Sequence, residues 1–444
     1  MRPQPATDTS ITAAQFGAAM APFRLTPGAH IAVAVSGGAD SLALVRLLAQ
    51  WARGPRITIT ALTVDHRLRD AAAVEAAQVG AWLDRHEIAH RILRWDEGLH
   101  ARTLNRSAQK AARDARYRLM TDWCAVNGAS HLFVAHHADD QVETFLLRLA
   151  RGSGVDGLAA MAPMSKRDGT VIARPLLAFG KAQLVETCRT LDQPWIEDPS
   201  NQSPASARVR FRQASQVLEQ EGLTRERLLA TVGHLQRARA ALDYAVGGLL
   251  AKAAWGDLGV VCMPVAALLD APEEVALRAL ARLLTAAGGQ TYGPRFESLA
   301  RLYARLTSGP WRDASLHGCL LTRDGNVLMI AREPALITDE KILWANDSAV
   351  WDARFKITLA CADVNATFTV SRFTPGAAVL PESLRASLSA IPSRLRETLP
   401  ALYDSAGLAA VPHARYTRAD LAGGDRFIIG VTCISDAASA VIDG

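Results

Sequence analysis

The chain has 444 residues, 49% of them hydrophobic and 21% charged, with a formal net charge of +5. This is the balance of an ordinary globular protein of two or three domains, and it excludes a disordered or fibrous chain. A mild excess of positive charge permits a nucleic-acid partner without establishing one, and six widely spaced cysteines with no CxxC pair exclude a zinc ribbon or a disulfide framework.

A reducing cytoplasm suits such cysteine usage. The N-terminal "ITAAQFGAAMAPF" is interrupted by Gln15 and Pro22 and runs almost directly into a core strand, so no cleavable leader is expected. No stretch is long and apolar enough to span a membrane.

In chain order, "IAVAV" (31–35) reads as a strand buried on both faces, and "SLALVRLLAQWA" (41–52) as a helix. The β-branched "ITITALTV" (57–64) reads as a strand and "AAAVEAAQVGAWLDRH" (71–86) as a helix. "AHRILRW" (89–95) makes a third strand and "SAQKAARDARYRLMTDWCAVNG" (107–128) a long helix ending at a glycine. "HLFVA" (131–135) is a fourth strand, followed by the helix "QVETFLLRLARG" (141–152). This alternation predicts an α/β fold, a doubly wound parallel sheet with helices on both faces and ligands at the C-terminal strand ends.

Beyond about residue 215 the pattern changes. Helical segments at 225–255, 271–289 and 295–306 precede a hairpin at 319–333 turning on "RDGN". From about 340, strand-like "FKITLA" and "ATFTVSRF" precede Pro- and Arg-rich segments. The expected organisation is a catalytic domain over 1–215, a mostly helical α+β domain over 216–336, and a small α+β module over 337–444.

Three clusters can carry chemistry. The first is "SGGADS": Ser36, Gly37, Gly38, Ala39, Asp40 and Ser41 lie between a strand and a helix. Such a turn points several N–H groups and a helix dipole at one place, which binds phosphate. A carboxylate beside phosphate is repelled unless a cation sits between them, so Asp40 points to Mg²⁺. A tight turn with an Asp/Ser cap is the plainer reading. No Walker motif exists, and the GxGxxG match "GSGVDG" (152–157) follows a helix rather than a first strand, so it reads as a flexible loop.

The second cluster is "AHHADDQVETFLLRLARGSG" (135–154). Asp140 and Glu143 are three apart and share a helix face, with His136, His137 and Asp139 in the preceding turn. An acidic first turn favoured by the dipole is the alternative. The third cluster is basic. Arg113 and Arg116 share a helix face with Tyr117, while Arg208, Arg210 and Arg212 alternate along "EDPSNQSPASARVRFR" (197–212), a pattern suited to a phosphate backbone or to surface ion pairs.

"SGGADS" resembles the PP-loop of ATP pyrophosphatases, an adenine-nucleotide α-hydrolase-like fold whose members split ATP between the α and β phosphates. With "VDHRLR" (64–69), "AARDARYRLM", "AHHADDQVETFLLRLARGSGVDGLAAM", "RPLLAFGKAQL" (174–184) and "DPSN…RVRFR", the chain over residues 30–215 resembles the tRNA(Ile)-lysidine synthetase family. The resemblance implies ligation of L-lysine to C2 of the wobble cytidine of a CAU-anticodon isoleucine tRNA, through an adenylated cytidine, with ATP split to AMP and pyrophosphate and Mg²⁺ as cofactor. It implies that Ser36, Gly37, Gly38, Ala39 and Ser41 hold pyrophosphate, and that Asp40 binds Mg²⁺. Val64, Asp65 and His66 would border the adenosine. Arg113 would stabilise anionic oxygens and Arg116 would bind substrate. His137, Asp140 and Glu143 would surround the base and the lysine ammonium, and Arg208 would bind tRNA or the adenylate. The family often has Glu at the position of Gln109, so no obligatory carboxylate is implied there. A homodimer is compatible, and no membrane partner is implied. The alternative is a tRNA thiolase on the same loop, which needs a catalytic cysteine pair or a cluster; Cys124 stands in mid-helix and suits a core position.

Overall fold

The computed structural model describes residues 9–67, 71–96, 108–197, 217–290, 292–308, 311–374, 380–421 and 427–433; the side chains of residues 71 and 108–110 lie outside the description. The chain divides into two compact units, 1–240 and 241–444.

The first unit is built on a six-stranded sheet of order β3-β2-β1-β4-β6-β5. Its strands are β1 (His30–Ala34), β2 (Thr58–Asp65), β3 (Ala89–Arg94), β4 (His131–Phe133), β5 (Met164–Arg167) and β6 (Thr170–Ala173). The pairs β1·β2, β2·β3, β1·β4 and β4·β6 are parallel, as the alternating pattern predicts. The edge pair β5·β6 is an antiparallel hairpin that the periodicity did not announce. Its four-residue strands, joined at Asp168-Gly169, are too short to show a period.

The helices are α1 (Ala13–Met20), α2 (Ala39–Ala52), α3 (Ala71–Asp84), α4 (Ala108–Val126), α5 (Ala138–Leu149), α6 (Val155–Leu158), α7 (Lys181–Thr190) and α8 (Arg225–Leu250). α1, α2, α3 and α7 cover one face of the sheet and α4 the other. Ile31 and Val33 of β1 join a core with Leu42, Val45 and Leu48 of α2, Val79 of α3 and Leu184 of α7. The alternate Ala32 joins Leu62, Leu132 and Ile172 against Tyr117, Met120 and Cys124 of α4. "IAVAV" is therefore apolar throughout because both of its faces are covered. Each fully buried aliphatic side chain contributes about 1.5–3 kcal/mol relative to exposure.

"GSGVDG" is a tight turn followed by the single helical turn α6, not a loose loop. A Cβ on Gly157 would come within 2.5 Å of the Ser153 Cβ, so the glycine permits close packing there. The first half of α8 packs Leu228 and Val232 on Phe145 and Leu146 of α5.

The second unit carries three antiparallel sheets. The first has order β7-β8-β11-β10-β9, made by β7 (Ala254–Trp255), β8 (Val261–Pro264), β9 (Ala314–Leu316), β10 (Cys319–Asp324) and β11 (Val327–Arg332). The β10·β11 hairpin turns at Gly325-Asn326, as "RDGN" predicts. The expected helix over 225–255 ends earlier, at Leu250, because Ala254 and Trp255 pair with Cys262 and Val261. Residues 273–287 form an amphipathic helix whose Val275, Leu280, Leu283 and Leu284 cover this sheet. Further on, 355–361 and 367–372 are strands, as "FKITLA" and "ATFTVSRF" predict. Along 355–361 buried and exposed residues alternate strictly, so one face of that sheet looks outward. Among the described residues no helix is long and apolar enough to cross a membrane.

Candidate active site

Parallel register sets where the polar clusters meet. Val33 of β1 pairs with Ala61 of β2 and with Phe133 of β4, so the loops after these strands leave from one sheet edge. The strand order reverses between β1 and β4, and ligands of such sheets bind in the crevice at that switch point. The glycine loop follows β1, and the acidic helix α5 follows β4.

The loop is held open toward the edge by its own chain. Gly37 has φ +88°, and a Cβ there would meet Ile196 Cδ1 at 3.0 Å and Val79 Cγ2 at 3.1 Å. Both facts demand glycine. The Ile196 N–H donates to the Gly37 carbonyl at 2.9 Å, tying the loop to the chain beyond α7. Ser41 Oγ accepts from the Ser36 N–H at 3.1 Å and donates to the Gly38 carbonyl at 3.0 Å. Ser36 Oγ lies 3.3 Å from Ser41 Oγ. Gly38 caps α2, so the turn ends at a helix N-terminus with Ala39 and Asp40 in its first turn. That is an oxyanion cradle of backbone donors and a dipole.

Asp40 stands at the centre of a charge cluster. Lys181 Nζ donates to both of its carboxylate oxygens at 2.7 Å. His137 Nε2 lies 3.7 Å from Asp40 Oδ2 and 3.5 Å from Asp140 Oδ2, and His137 Nδ1 lies 3.4 Å from Asp139 Oδ2. The imidazole is 5% exposed. Burial alone lowers its pKa, but the hydrogen bond with Asp139 and the charges of Asp140 and Asp40 raise it above the ordinary value. Asp140 also accepts the His137 N–H at 3.1 Å, closing a capping box at the start of α5. Asp139 accepts the Lys181 N–H at 2.7 Å and faces Arg225 at 3.7 Å. Burial pushes its pKa up, yet His137 and the Lys181 N–H outweigh this and hold it down at about 2. Glu143 is buried one turn further along α5, on the face of Asp140.

A basic wall faces this cluster. The guanidinium carbons of Arg113, Arg116 and Arg167 stand 5.6, 6.0 and 4.6 Å from the ring centroid of buried Tyr117. Burial lowers the pKa of Arg116, as expected for a cation drawn out of water. Burial is also the main cause that brings His136 down to about 4; Asp140 opposes it, and Arg174, Arg113 and Arg116 add to it. His136 is therefore a neutral imidazole between the arginines and the acidic helix. At the end of β2, buried Asp65 accepts the Arg67 N–H at 2.9 Å, and His66 packs edge-on to Trp95 at 6.0 Å. Val64 is partly buried just before them.

The structure thus brings Ser36–Ser41, Val64–His66, Arg113, Arg116, His137, Asp140 and Glu143 to one edge of one sheet. Arg208, Arg210 and Arg212 lie outside the described residues, as does the side chain of Gln109. Lys181 joins the site without a motif of its own in the sequence. The available signal was a lysine as the first residue of a helix, where the dipole disfavours a cation. His136 is lowered mainly by burial, whereas Asp139 is lowered against its burial by His137 and the Lys181 N–H.

Among the described residues no group of three or more His, Cys, Asp or Glu side chains is placed to hold a metal ion by itself. Asp40 suits the usual magnesium arrangement in which one carboxylate shares the ion with substrate phosphates. Both of its oxygens accept from Lys181. In the first unit, Cys124 and Cys188 are buried thiols pushed up to about 11 by desolvation, the reverse of an activated thiolate.

A family model for the PP-loop domain matches residues 9–220. The tRNA(Ile)-lysidine synthase of Wolbachia pipientis is 35% identical over 335 residues, covering 74% of this chain and 77% of the relative. That of Ruegeria pomeroyi is 36% identical, covering 76% of this chain and 78% of the relative. The chain belongs to the tRNA(Ile)-lysidine synthase family. The Bradyrhizobium diazoefficiens member of that family is 38% identical and is covered over 90% of its length. Among solved structures, the U34-tRNA thiolase NcsA from Methanococcus maripaludis matches with a TM-score of 0.44 and 16% identity, covering 51% of this chain and 77% of that one. The span matched by the PP-loop model contains the glycine loop, and a domain of this kind uses ATP.

Proposed function

We propose that the protein ligates L-lysine to C2 of the wobble cytidine of a CAU-anticodon isoleucine tRNA. As a member of the lysidine synthase family it is an enzyme, a ligase that spends ATP to AMP and pyrophosphate. The observation that carries the reading is the meeting of a phosphate cradle, an acidic helix and an arginine wall at one switch point.

In the first step the cytidine C2 carbonyl oxygen attacks the α-phosphorus, and the bond to pyrophosphate breaks. The N–H groups of residues 37–41 and the α2 dipole neutralise the departing charge. Magnesium bound with the nucleotide would supply further charge neutralisation there, with Asp40 as its protein ligand. Arg113 and Arg116 hold the anionic oxygens of the adenylate. Val64, Asp65 and His66 line the adenosine side. In the second step the lysine amine attacks C2, the C2–O bond breaks, and AMP leaves. Asp140 and Glu143 bind the lysine ammonium, and a carboxylate takes the proton the amine must shed before attack. His137, pinned between Asp40 and Asp140, keeps the nucleotide side and the lysine side in fixed relation. Arg208, the domain over 216–336 and the module over 337–444 contact the tRNA. The reaction belongs in the cytoplasm, where the tRNA resides.

Incubating the protein with ATP, Mg²⁺, lysine and the tRNA, then digesting to nucleosides for mass spectrometry, tests the reading. Lysidine formed only when lysine is present supports it. A 2-thiocytidine product formed without added lysine overturns it in favour of a thiolase. Glu143→Gln should slow the lysine-dependent step and raise the lysine requirement more than it weakens ATP binding. Equal losses in both would remove Glu143 from the lysine pocket.

A further inference from the structure

We propose that Lys181 is the exchangeable counter-cation of Asp40: it holds the carboxylate when no divalent ion is bound, yields it when the ion arrives with ATP, and then turns its ammonium to the phosphate oxygens. The inference rests on the reading of residues 36–41 as the ATP site and of Asp40 as a magnesium ligand.

Four observations support it. Lys181 Nζ engages both Asp40 oxygens at 2.7 Å, so an ammonium and a divalent ion compete for the same lone pairs. The backbone of Lys181 is anchored while its side chain is not. Its N–H is held by Asp139 at 2.7 Å, and the preceding Gly180 packs so closely that a Cβ there would meet the Arg225 guanidinium. The lysine side chain itself is 49% exposed. A four-carbon stem on a fixed pivot can redirect its charge over several ångströms with little strain. Lys181 is also the first residue of α7, where the helix dipole disfavours a cation, so its position there requires an anion opposite. Finally, Asp40 is not left uncompensated by the exchange, since His137 remains 3.7 Å away.

The exchange has a thermodynamic signature that a purely structural lysine lacks. Removing the ammonium should free Asp40 for a metal ion and at the same time deprive the phosphates of a cation. The two affinities should therefore move in opposite directions. Lys181→Met, checked for folding by its melting profile, should bind Mn²⁺ about tenfold more tightly than wild type by electron paramagnetic resonance titration without nucleotide. By calorimetry at saturating Mg²⁺ it should bind α,β-methylene-ATP about tenfold more weakly, the size expected for one charge-assisted hydrogen bond. Lys181→Arg should keep the nucleotide affinity closer to wild type. If Lys181→Met does not fold, Lys181→Gln serves the same comparison. Unchanged or weaker Mn²⁺ binding in a folded variant overturns the exchange. Asp40→Asn binding Mn²⁺ as well as wild type in the presence of the analogue would instead remove Asp40 as a metal ligand, which is failure of the underlying reading.

Discussion

The two units use the same charged residue types in opposite ways. At the sheet edge of the first unit, Asp40, Lys181 and Asp140 are only partly covered, with side chains 26%, 49% and 19% exposed. The partners of Asp40 are the side chains of Lys181 and His137. In the second unit, Arg332, Asp352 and Arg354 are sealed. Asp352 Oδ2 accepts from Arg354 Nε at 2.7 Å and from Arg332 Nε at 3.2 Å. Other guanidinium nitrogens donate to the carbonyls of Gly318, Leu336 and Thr398. Those carbonyls belong to separate segments, so the triad cross-links the unit. A charge cluster turned toward solvent can bind and let go; one satisfied by backbone carbonyls can only hold.

The contrast can be broken where its effect is largest. Asp352→Ala leaves two buried guanidinium groups facing each other and should cost about 3–5 kcal/mol in chemical denaturation of the second unit. The affinity for α,β-methylene-ATP, measured below the transition, should not change. A loss below 1 kcal/mol would mean that the triad is not sealed.

Asp40→Asn should do the converse. Pyrophosphate release should fall by about 10²–10³-fold, as for removal of one electrostatic stabiliser. Stability should change by less than about 1 kcal/mol, because the pair it breaks is partly exposed. Release at the wild-type rate in saturating Mg²⁺ would remove the proposed role of Asp40.

The two adjacent histidines sharpen the comparison through pH. His136 is held at about 4, below its unfolded value, so the unfolded chain binds the extra proton between about 6.5 and 4. Acidification through that window should destabilise the first unit by up to about 3 kcal/mol, and His136→Asn should flatten the loss. His137 is shifted the other way. Its contribution is complete below its unfolded pKa and is lost as the pH rises through its raised folded value. His137→Asn should therefore remove a decline on the alkaline side. A denaturation series from pH 4 to 9 separates the two, and identical profiles for both variants would contradict the geometry.

The smallest effect is expected at the cradle. Gly37→Ala must accept φ +88° and two contacts near 3 Å, for a loss of about 1–2 kcal/mol. Nucleotide affinity should fall with it, because the N–H groups tilt away from the phosphate position. Loss of stability with unchanged affinity would show that the cradle does not depend on this residue.

Much of the first unit was legible from its sequence, for a physical reason. A parallel strand covered on both faces must be apolar at every position, as "IAVAV" is, and the helix that follows must show its own period. A phosphate cradle needs glycine where φ is positive and where a Cβ has no room, so "SGGADS" carries its geometry in its composition. The acidic face of α5 follows from spacing alone, since Asp140 and Glu143 are one turn apart on any helix. Tertiary structure decided what depends on residues far apart in the chain. Lys181 stands 141 positions from Asp40, and only the parallel register of β1, β4 and β6 brings their loops to one edge. The pKa shift of His136 arises mainly from burial, and those of His137 and Asp139 combine neighbours on α5 with Asp40, Lys181 and Arg225, which the sequence places far away. The β5·β6 hairpin and the β7 edge pair are too short to have a period, so their strands exist only because a neighbour offers hydrogen bonds. The Arg332–Asp352–Arg354 triad reads along the chain as three ordinary surface charges, and it becomes a buried cross-link only because the antiparallel sheets of the second unit close over it.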